Sequence, residues 1–339
     1  MKSIKITERL RPFSHQPGTY CILPGASLRF QIFPALLRVY DLSIAYPKLL
    51  GEIPVPVKGP VQEFTVQLDL ERGWILVWGK TEEEFFRYII QAGETSIQVD
   101  VQKGLSSWYP QELFSRIPYT HHPFNKKWER LSLGNHKSQD WEMVSRRGDL
   151  GEILPALFAL GQQVQDTFHF ADEGTASLLL ECQNASKLTV YPSFINFVKA
   201  GFEGILSPRL VDEQHQGFSL KTPSLSLSPL VLLSRGAKTI RSLFVHTHAK
   251  EISILPKLPP QFHCGRFLGV QCEDLGALDL EWTKKAPRRL LFKASKTEVL
   301  HFHFPPAITD FRLNGKRHLV KDPIEVISGE LYIFDRFQK

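Results

Sequence analysis

The chain has 339 residues, of which 42% are hydrophobic and 22% charged, and its formal net charge is +6. This composition excludes extensive disorder, and the length exceeds what one small core needs, so two domains are expected. The positive charges are mostly scattered rather than gathered in one stripe, so no nucleic-acid partner is expected.

The chain carries four cysteines, and none of them forms a CxxC pair. This usage predicts reduced thiols rather than a disulfide framework. The first residues contain no apolar signal core, and no apolar run approaches the length that a bilayer requires. The sequence therefore predicts a cytoplasmic protein without a membrane partner.

Residues 1–104 predict a β-sandwich lobe. Between Phe64 and Leu70, apolar side chains alternate with polar ones, so one face is expected in a core and the other towards water. Residues 74–78 form a nearly continuous apolar strand, and residues 85–101 predict a further hairpin.

Residues 105–173 predict a helical linker. Asp149 and Glu152 have the spacing of a capping box, in which the first side chain bonds a backbone N–H and the second reaches back. Apolar residues then line one helical face, where Pro155 either kinks the helix or marks its first turn. A shorter helix is predicted over residues 137–147.

Residues 174–339 predict a second β-sandwich lobe with one short buried helix. Strands are expected at residues 177–181 and 187–191 and again from Val231 onward. The apolar residues within 191–206 are too numerous for a surface loop, and they predict the buried helix.

Two turn sequences near the C-terminus, Asn314-Gly315 and Ser328-Gly329, predict hairpins. The sequence as a whole thus predicts a mainly β (α+β) fold, in which two β-sandwich-like lobes are joined by a short helical segment.

Three motifs follow one another in the C-terminal region: Ile254-Leu-Pro-Lys-Leu-Pro259, Gly265-Arg-Phe-Leu-Gly269 and Leu278-Asp-Leu-Glu-Trp282. In this order they resemble the C-terminal β-sandwich of the α-L-fucosidase-type glycoside hydrolases, and residues 311–334 resemble its last strands. The pattern departs from the family around residues 262–264 and 274–276. The whole chain also resembles a protein of chlamydia-type bacteria, which implies no function.

The resemblance implies a toroidal catalytic domain of helices between two β regions. Here the interval between the predicted lobes is about 70 residues, which is too short for about a dozen helices of the usual length. No catalytic residue of the family can be assigned to this chain. The sequence therefore favours a non-enzyme, with glycoside hydrolysis as the activity if there is one.

Aromatic side chains gather in the irregular part of the linker. Because sugar rings stack on aromatic rings and functional residues favour loops, they predict a carbohydrate-binding groove between the lobes. The alternative is that they seal the interface between the lobes, since aromatic side chains bury much area. The residues concerned are Trp108, Tyr109, Tyr119, Trp128 and Trp141.

Four carboxylates are weak candidates for catalysis, because glycoside hydrolysis needs an acid and a second carboxylate that flank the bond. Asp140 and Glu142 lie beside Trp141, and Asp212 and Glu213 lie in a polar stretch. Asp140 fits an early helix position equally well, and Asp212 and Glu213 fit a solvated loop.

Two HxH pairs are formed by His246 with His248 and by His301 with His303. Residues two apart on a strand point to the same face, so pairs on neighbouring strands could bind Zn or Fe through four imidazoles. The alternative is that these are half-exposed strand histidines, in which case no cofactor is expected.

Six cations cluster within residues 284–296, namely Lys284, Lys285, Arg288, Arg289, Lys293 and Lys296. They predict either a solvated hairpin with charges that prevent edge pairing or a surface for an acidic or phosphate-bearing partner. Three functions stay open: a non-catalytic carbohydrate-binding or accessory protein related to glycoside hydrolase β-domains, a structural protein that binds another protein, and a metal-dependent enzyme that uses the HxH pairs.

Overall fold

A computed structural model of the chain describes residues 3–121, 128–165 and 168–339. The predicted fold class is confirmed: 37% of the chain is strand and 18% is helix, and the sheets are mostly antiparallel. None of the helices within these ranges combines the length and apolar character that crossing a bilayer requires.

Two antiparallel sheets form the N-terminal lobe. Their strands are β1 (Phe13–Ser14), β2 (Thr19–Ile22), β3 (Leu28–Ile32), β4 (Leu36–Asp41), β5 (Lys48–Pro54), β6 (Gln62–Asp69), β7 (Trp74–Lys80), β8 (Phe85–Ala92) and β9 (Ile97–Lys103). One sheet has the order β2-β3-β4-β5, and the other has the order β1-β6-β7-β8-β9.

Strand β6 shows the predicted alternation, with Val66 and Leu68 fully buried. The opposite face is expected to be exposed to solvent, but Thr65 and Asp69 on that face are also buried. The residues on either side of β1 cover this face: Arg11 pairs with Asp69 at 2.9 Å, and the His15 ring bonds Thr65 Oγ1 at 3.0 Å.

Helices occupy much of the chain between β9 and residue 245. Those in the described ranges are α1 (Gln111–Ser115), α2 (Trp141–Arg147), α3 (Leu150–Gly161), α4 (Ala176–Asn184), α5 (Val190–Gly201) and α6 (Leu230–Phe244). Helix α3 begins after Asp149 as predicted, and the Asp149 carboxylate accepts a 2.8 Å bond from the N–H of Gly151. Glu152 pairs with Arg147 rather than reaching back to the cap, and Pro155 lies inside the helix.

The strands predicted at residues 177–181 and 187–191 are wrong, because these residues belong to α4 or lead into α5. The strand predicted from Val231 is also wrong, since α6 covers residues 230–244. Short apolar runs such as that of α4 fit a buried strand and a buried helix equally well. Helix α5, which ends at Gly201, confirms the buried helix predicted within 191–206.

The remaining strands form a seven-stranded sheet in the order β10-β15-β16-β17-β22-β19-β20, a four-stranded sheet in the order β13-β14-β18-β21, and the pair β11-β12. They are β10 (Arg130–Ser132), β11 (Phe202–Glu203), β12 (Ser207–Pro208), β13 (Val245–His248), β14 (Glu251–Ile254), β15 (Gly265–Cys272), β16 (Gly276–Thr283), β17 (Ala286–Ala294), β18 (Glu298–His303), β19 (Asp310–Leu313), β20 (Lys316–Leu319), β21 (Ile324–Val326) and β22 (Leu331–Gln338).

Phenylalanine side chains join the two C-terminal sheets into a sandwich. The Phe302 ring of β18 lies 5.5 Å from Phe292 and 4.8 Å from Phe334, both on the seven-stranded sheet. At one end, Phe244 of α6 stacks on Trp282 with ring centroids 5.2 Å apart. Helix α6 therefore shares the core of this lobe.

The two C-terminal turn sequences have different outcomes. Asn314-Gly315 joins β19 to β20 in the predicted hairpin. Ser328-Gly329 does not make a hairpin, because β21 pairs with β18 whereas β22 pairs with β17. This turn instead passes the chain from one sheet of the sandwich to the other.

Candidate ligand-binding cleft

A cleft of about 670 Å³ lies between α3, α6 and β15. We call it the Trp128 cleft. Its volume is within the range usual for small-molecule sites. The side chains that give it polar and aromatic character are Trp128, Glu129, Gln162, Lys238, Arg241 and Gln271.

Trp128 is the aromatic side chain of the predicted set that reaches this cleft. It is half-buried and packs against the hydrophobic core. A ring held by the core on one part of its surface, with another part open, offers a flat apolar surface at little entropic cost to a ligand.

The carboxylate of Glu129 is fixed beside that ring. Arg241 Nε donates to Oε1 and Oε2 at 3.1 and 3.0 Å, and the backbone N–H of Gln271 donates to Oε1 at 2.9 Å. Burial raises the pKa of Glu129, while Arg241 and the Gln271 N–H act in the opposite direction. The cleft thus holds a buried carboxyl group whose charged form is disfavoured by burial.

Gln162 fixes the backbone of the same residue. Its Oε1 accepts from the N–H of Glu129 at 2.9 Å, and its Nε2 donates to the Glu129 carbonyl at 3.0 Å. The amide of Gln162 therefore makes the two backbone hydrogen bonds that a neighbouring strand would otherwise make to Glu129. Both the main chain and the side chain of Glu129 are positioned by partners from distant parts of the sequence.

A β-bulge shapes the strand at the edge of the cleft. The register between β15 and β16 shifts between Phe267 and Val270, and Gly269 in the bulge has a φ of +68°. The Gly269 N–H donates to Asp279 Oδ1 at 2.8 Å. Bulges of this kind redirect the strand and are common beside functional sites.

The structure does not bring the five predicted aromatic residues together. Trp108 is buried in the N-terminal lobe, where its Nε1 donates to the Pro54 carbonyl at 3.0 Å. The hydroxyl of Tyr119 donates to a backbone carbonyl of that lobe, and Tyr109 is 83% exposed. Trp141 is the first residue of α2 and is buried. A groove lined by all five is therefore not formed.

The four candidate carboxylates lie away from the described lining of the Trp128 cleft. Asp140 caps α2, and Glu142 accepts a 2.5 Å bond from the serine hydroxyl of β1. Asp212 is buried 3.9 Å from Arg209, and Glu213 is exposed. Structural contacts therefore account for three of these carboxylates, namely Asp140, Glu142 and Asp212.

The two HxH pairs are not on neighbouring strands as expected, because β14 lies between β13 and β18. The four histidines share the exposed face of this sheet. Glu251 and Ser253 of β14 lie between the two pairs, so the histidines of one pair are not direct cross-strand partners of the other. Across the described residues, no group of three or more His, Cys, Asp or Glu side chains is arranged to hold a metal.

Sequence reasoning found Trp128 but missed Glu129, Gln162, Arg241 and Gln271. Glu129 directly follows Trp128, and this adjacency is the one available signal. Arg241 and Lys238 lie three residues apart on α6, a spacing that places them on one helical face. A strand over this segment would instead place them on opposite faces.

No protein-family description matches this chain, and no curated protein matches it either. The function of the Trp128 cleft therefore has to be inferred from its own geometry.

Proposed function

We propose that the chain binds a carbohydrate in the Trp128 cleft and does not hydrolyse it. The observation that carries this proposal is the partly exposed Trp128 ring beside the fixed polar groups of Glu129, Gln162 and Arg241. A sugar presents C–H groups to an aromatic face and hydroxyls to amide, carboxylate and guanidinium groups. Precisely held polar groups beside aromatic and apolar side chains are typical of small-molecule sites.

Preorganisation supports the proposal further. The Glu129 carboxylate, its backbone and the Arg241 guanidinium are all held by hydrogen bonds between 2.5 and 3.1 Å before any ligand arrives. A ligand that bonds such groups does not have to order them, so less of the interaction energy is lost on binding.

Binding without hydrolysis follows from the number of carboxylates. Glycoside hydrolysis uses two carboxyl groups on opposite sides of the bond. Among the described residues that line the cleft, Glu129 supplies the one carboxylate. The resemblance to the β-domains of α-L-fucosidase-type hydrolases agrees with a role in carbohydrate metabolism, and the four free cysteines support a reducing, cytoplasmic compartment.

Isothermal titration and tryptophan fluorescence with a panel of α-glucans and fucosylated oligosaccharides would test this function. We expect saturable binding by at least one sugar, with loss of about fivefold or more in affinity for Trp128→Ala, as removal of a stacking ring costs about 1 kcal/mol. Trp128→Phe should retain part of the affinity. Tyr109→Ala, which removes an exposed aromatic ring outside the cleft, is the matched control and should bind normally.

Flat titrations across the whole panel would overturn the proposal. Equal loss of affinity in Trp128→Ala and Tyr109→Ala would also contradict it, since the cleft would then not be the site. Circular dichroism of each variant separates a local loss of binding from unfolding.

A further inference from the structure

Three arginine side chains surround one carboxylate on the outer face of the seven-stranded sheet. Glu281 lies 3.4 Å from Arg266 Nε, 3.9 Å from Arg288 Nη1 and 3.5 Å from Arg289 Nη2. We call these residues the Glu281 cluster. Two of the three arginines belong to the basic cluster within residues 284–296, which the Trp128 cleft does not involve.

Strand register explains the cluster. Arg266 of β15, Glu281 of β16 and Arg289 of β17 are direct partners across the sheet, so they form one row on one face. The register then shifts at Glu281 and Trp282, which leaves Arg288 as an extra residue in a bulge. A bulge of this kind re-aims a side chain, and Arg288 accordingly reaches the same carboxylate as Arg289.

The outer surface of the cluster is positive, because cations outnumber carboxylates and are more exposed than Glu281. The three guanidinium groups carry one positive charge more than the carboxylates of Glu281 and Glu8 together balance. The Glu281 side chain is only 12% exposed, whereas Arg266 is 40% exposed and Arg288 is 66% exposed. The acid therefore lies at the base and the guanidinium groups lie at the rim.

A pocket of about 220 Å³ opens beside this rim. Its charged and polar lining includes Arg266, Arg288, Glu281, Thr283 and His136. Glu8 also lines it, but its carboxylate already accepts from Ser132 Oγ at 2.9 Å and lies 3.2 Å from the His136 ring. The volume is below that of a drug-sized site and suits a small polar group.

We propose that this pocket binds a tetrahedral oxyanion, namely the phosphoryl or sulfuryl group of a ligand. Guanidinium groups bind such oxyanions through pairs of parallel N–H···O bonds, and two of them can hold one group from different sides. Arg266 and Arg288 take these positions. Thr283 contributes a hydroxyl that can donate to an anion oxygen. This site shares no lining residue with the Trp128 cleft and does not depend on it.

Titration with inorganic phosphate and with sulfate, compared with chloride at matched ionic strength, would test the site. We expect saturable binding of phosphate or sulfate, and an affinity about tenfold lower in Arg266→Gln or Arg288→Gln, as expected when one charge-assisted bond is lost. Arg317→Gln is the matched control. Arg317 is exposed on the same sheet but pairs with its own carboxylate, Asp310, at 3.1 Å.

Glu281→Gln provides a test with the opposite sign. The substitution removes the competing negative charge and keeps the size of the side chain, so phosphate should bind several-fold more tightly. A cluster that served only to hold the sheet together would lose stability in this variant without any gain in anion affinity.

Equal responses to phosphate, sulfate and chloride would overturn the proposal, because they would indicate general screening. Unchanged phosphate affinity in both arginine variants would do the same. Titration with glucose 6-phosphate beside inorganic phosphate separates the sources of the group: a phosphorylated sugar that binds more tightly than free phosphate identifies a sugar ester, and equal affinities identify the free anion.

Discussion

Arg241 of α6 and Glu129, just before β10, are joined across 112 residues of sequence by an Nε to Oε2 hydrogen bond of 3.0 Å. Arg241 Nη2 also donates to the Gln271 carbonyl of β15 at 2.5 Å. One guanidinium thus links a helix, the start of an edge strand and its partner strand. The three residues joined in this way, Glu129, Arg241 and Gln271, all line the Trp128 cleft.

Loss of the Arg241 side chain should destabilise the protein. In Arg241→Met the Glu129 carboxylate would stay buried without its cation, and removal of one partner of such a pair costs about 2–4 kcal/mol in unfolding free energy. Glu129→Gln combined with Arg241→Met should recover part of the loss. Urea denaturation measures both changes, and a double variant as unstable as the single one would contradict this account.

The pKa of Glu129 gives stability a distinctive pH dependence. Burial raises this pKa above its value in the unfolded chain, so the folded protein takes up a proton more readily than the unfolded one. Stability of the wild type relative to Glu129→Gln should therefore rise as pH falls through the folded pKa towards about 4.3. Urea denaturation of both proteins over this range measures the difference.

Asp335 supplies a control of opposite sign. The bond from Arg312 lowers the pKa of Asp335, so its contribution to stability is present above the unfolded pKa and is lost as pH falls through the folded one. The stability of the wild type relative to Asp335→Asn should shrink on acidification. If the Glu129 comparison showed the same sign, the Arg241 pair would outweigh burial.

The sequence was informative where a pattern is local. The period-two alternation around Val66 identified β6, and Asn314-Gly315 identified a hairpin, because both depend on neighbouring residues. The interpretation failed for α4 and α6, whose apolar runs fit either a buried strand or a buried helix. Trp128 could be proposed from its type and context, whereas its polar partners could not, since they come from distant elements that only the tertiary fold brings together.

The surroundings of two helical glycines, Gly161 of α3 and Gly236 of α6, predict opposite effects for their substitution by alanine. A Cβ at Gly161 would overlap the Leu233 carbonyl oxygen and lie 2.7 Å from the Ala237 Cβ, so Gly161→Ala should cost about 1–3 kcal/mol. A Cβ at Gly236 would meet Phe197 at an ordinary 3.8 Å. Gly236→Ala should therefore stabilise α6 by about 0.5–1 kcal/mol through helix propensity.

Thermal or urea unfolding of the two glycine variants would separate these effects. The control is internal, because both changes add one methyl group to a helical glycine in the same pair of packed helices. Similar shifts in both variants would show that the close approach at Gly161 is not what limits the crossing.

A buried ion pair joins the N-terminal lobe to the β11-β12 hairpin. Arg29 of β3 pairs with Glu203 of β11, and its guanidinium lies 4.2 Å from the Tyr20 ring centroid. Arg29→Met should lower the unfolding free energy by about 3 kcal/mol, because Glu203 stays largely buried after its nearest cation is removed. Arg38→Met removes the exposed pair with Glu52 and should change stability little. Equal losses in the two variants would contradict the importance of burial.

The four cysteines should differ sharply in reactivity towards a thiol reagent. Cys264 is exposed, whereas Cys21, Cys182 and Cys272 are buried, and burial raises the pKa of Cys272 to about 11. Because the thiolate is the reactive form, one thiol per native chain should react rapidly and all four should react after denaturation. Cys264→Ser should abolish the rapid phase. Rapid reaction of two or more thiols in the native protein would mean that the core around the buried cysteines opens readily.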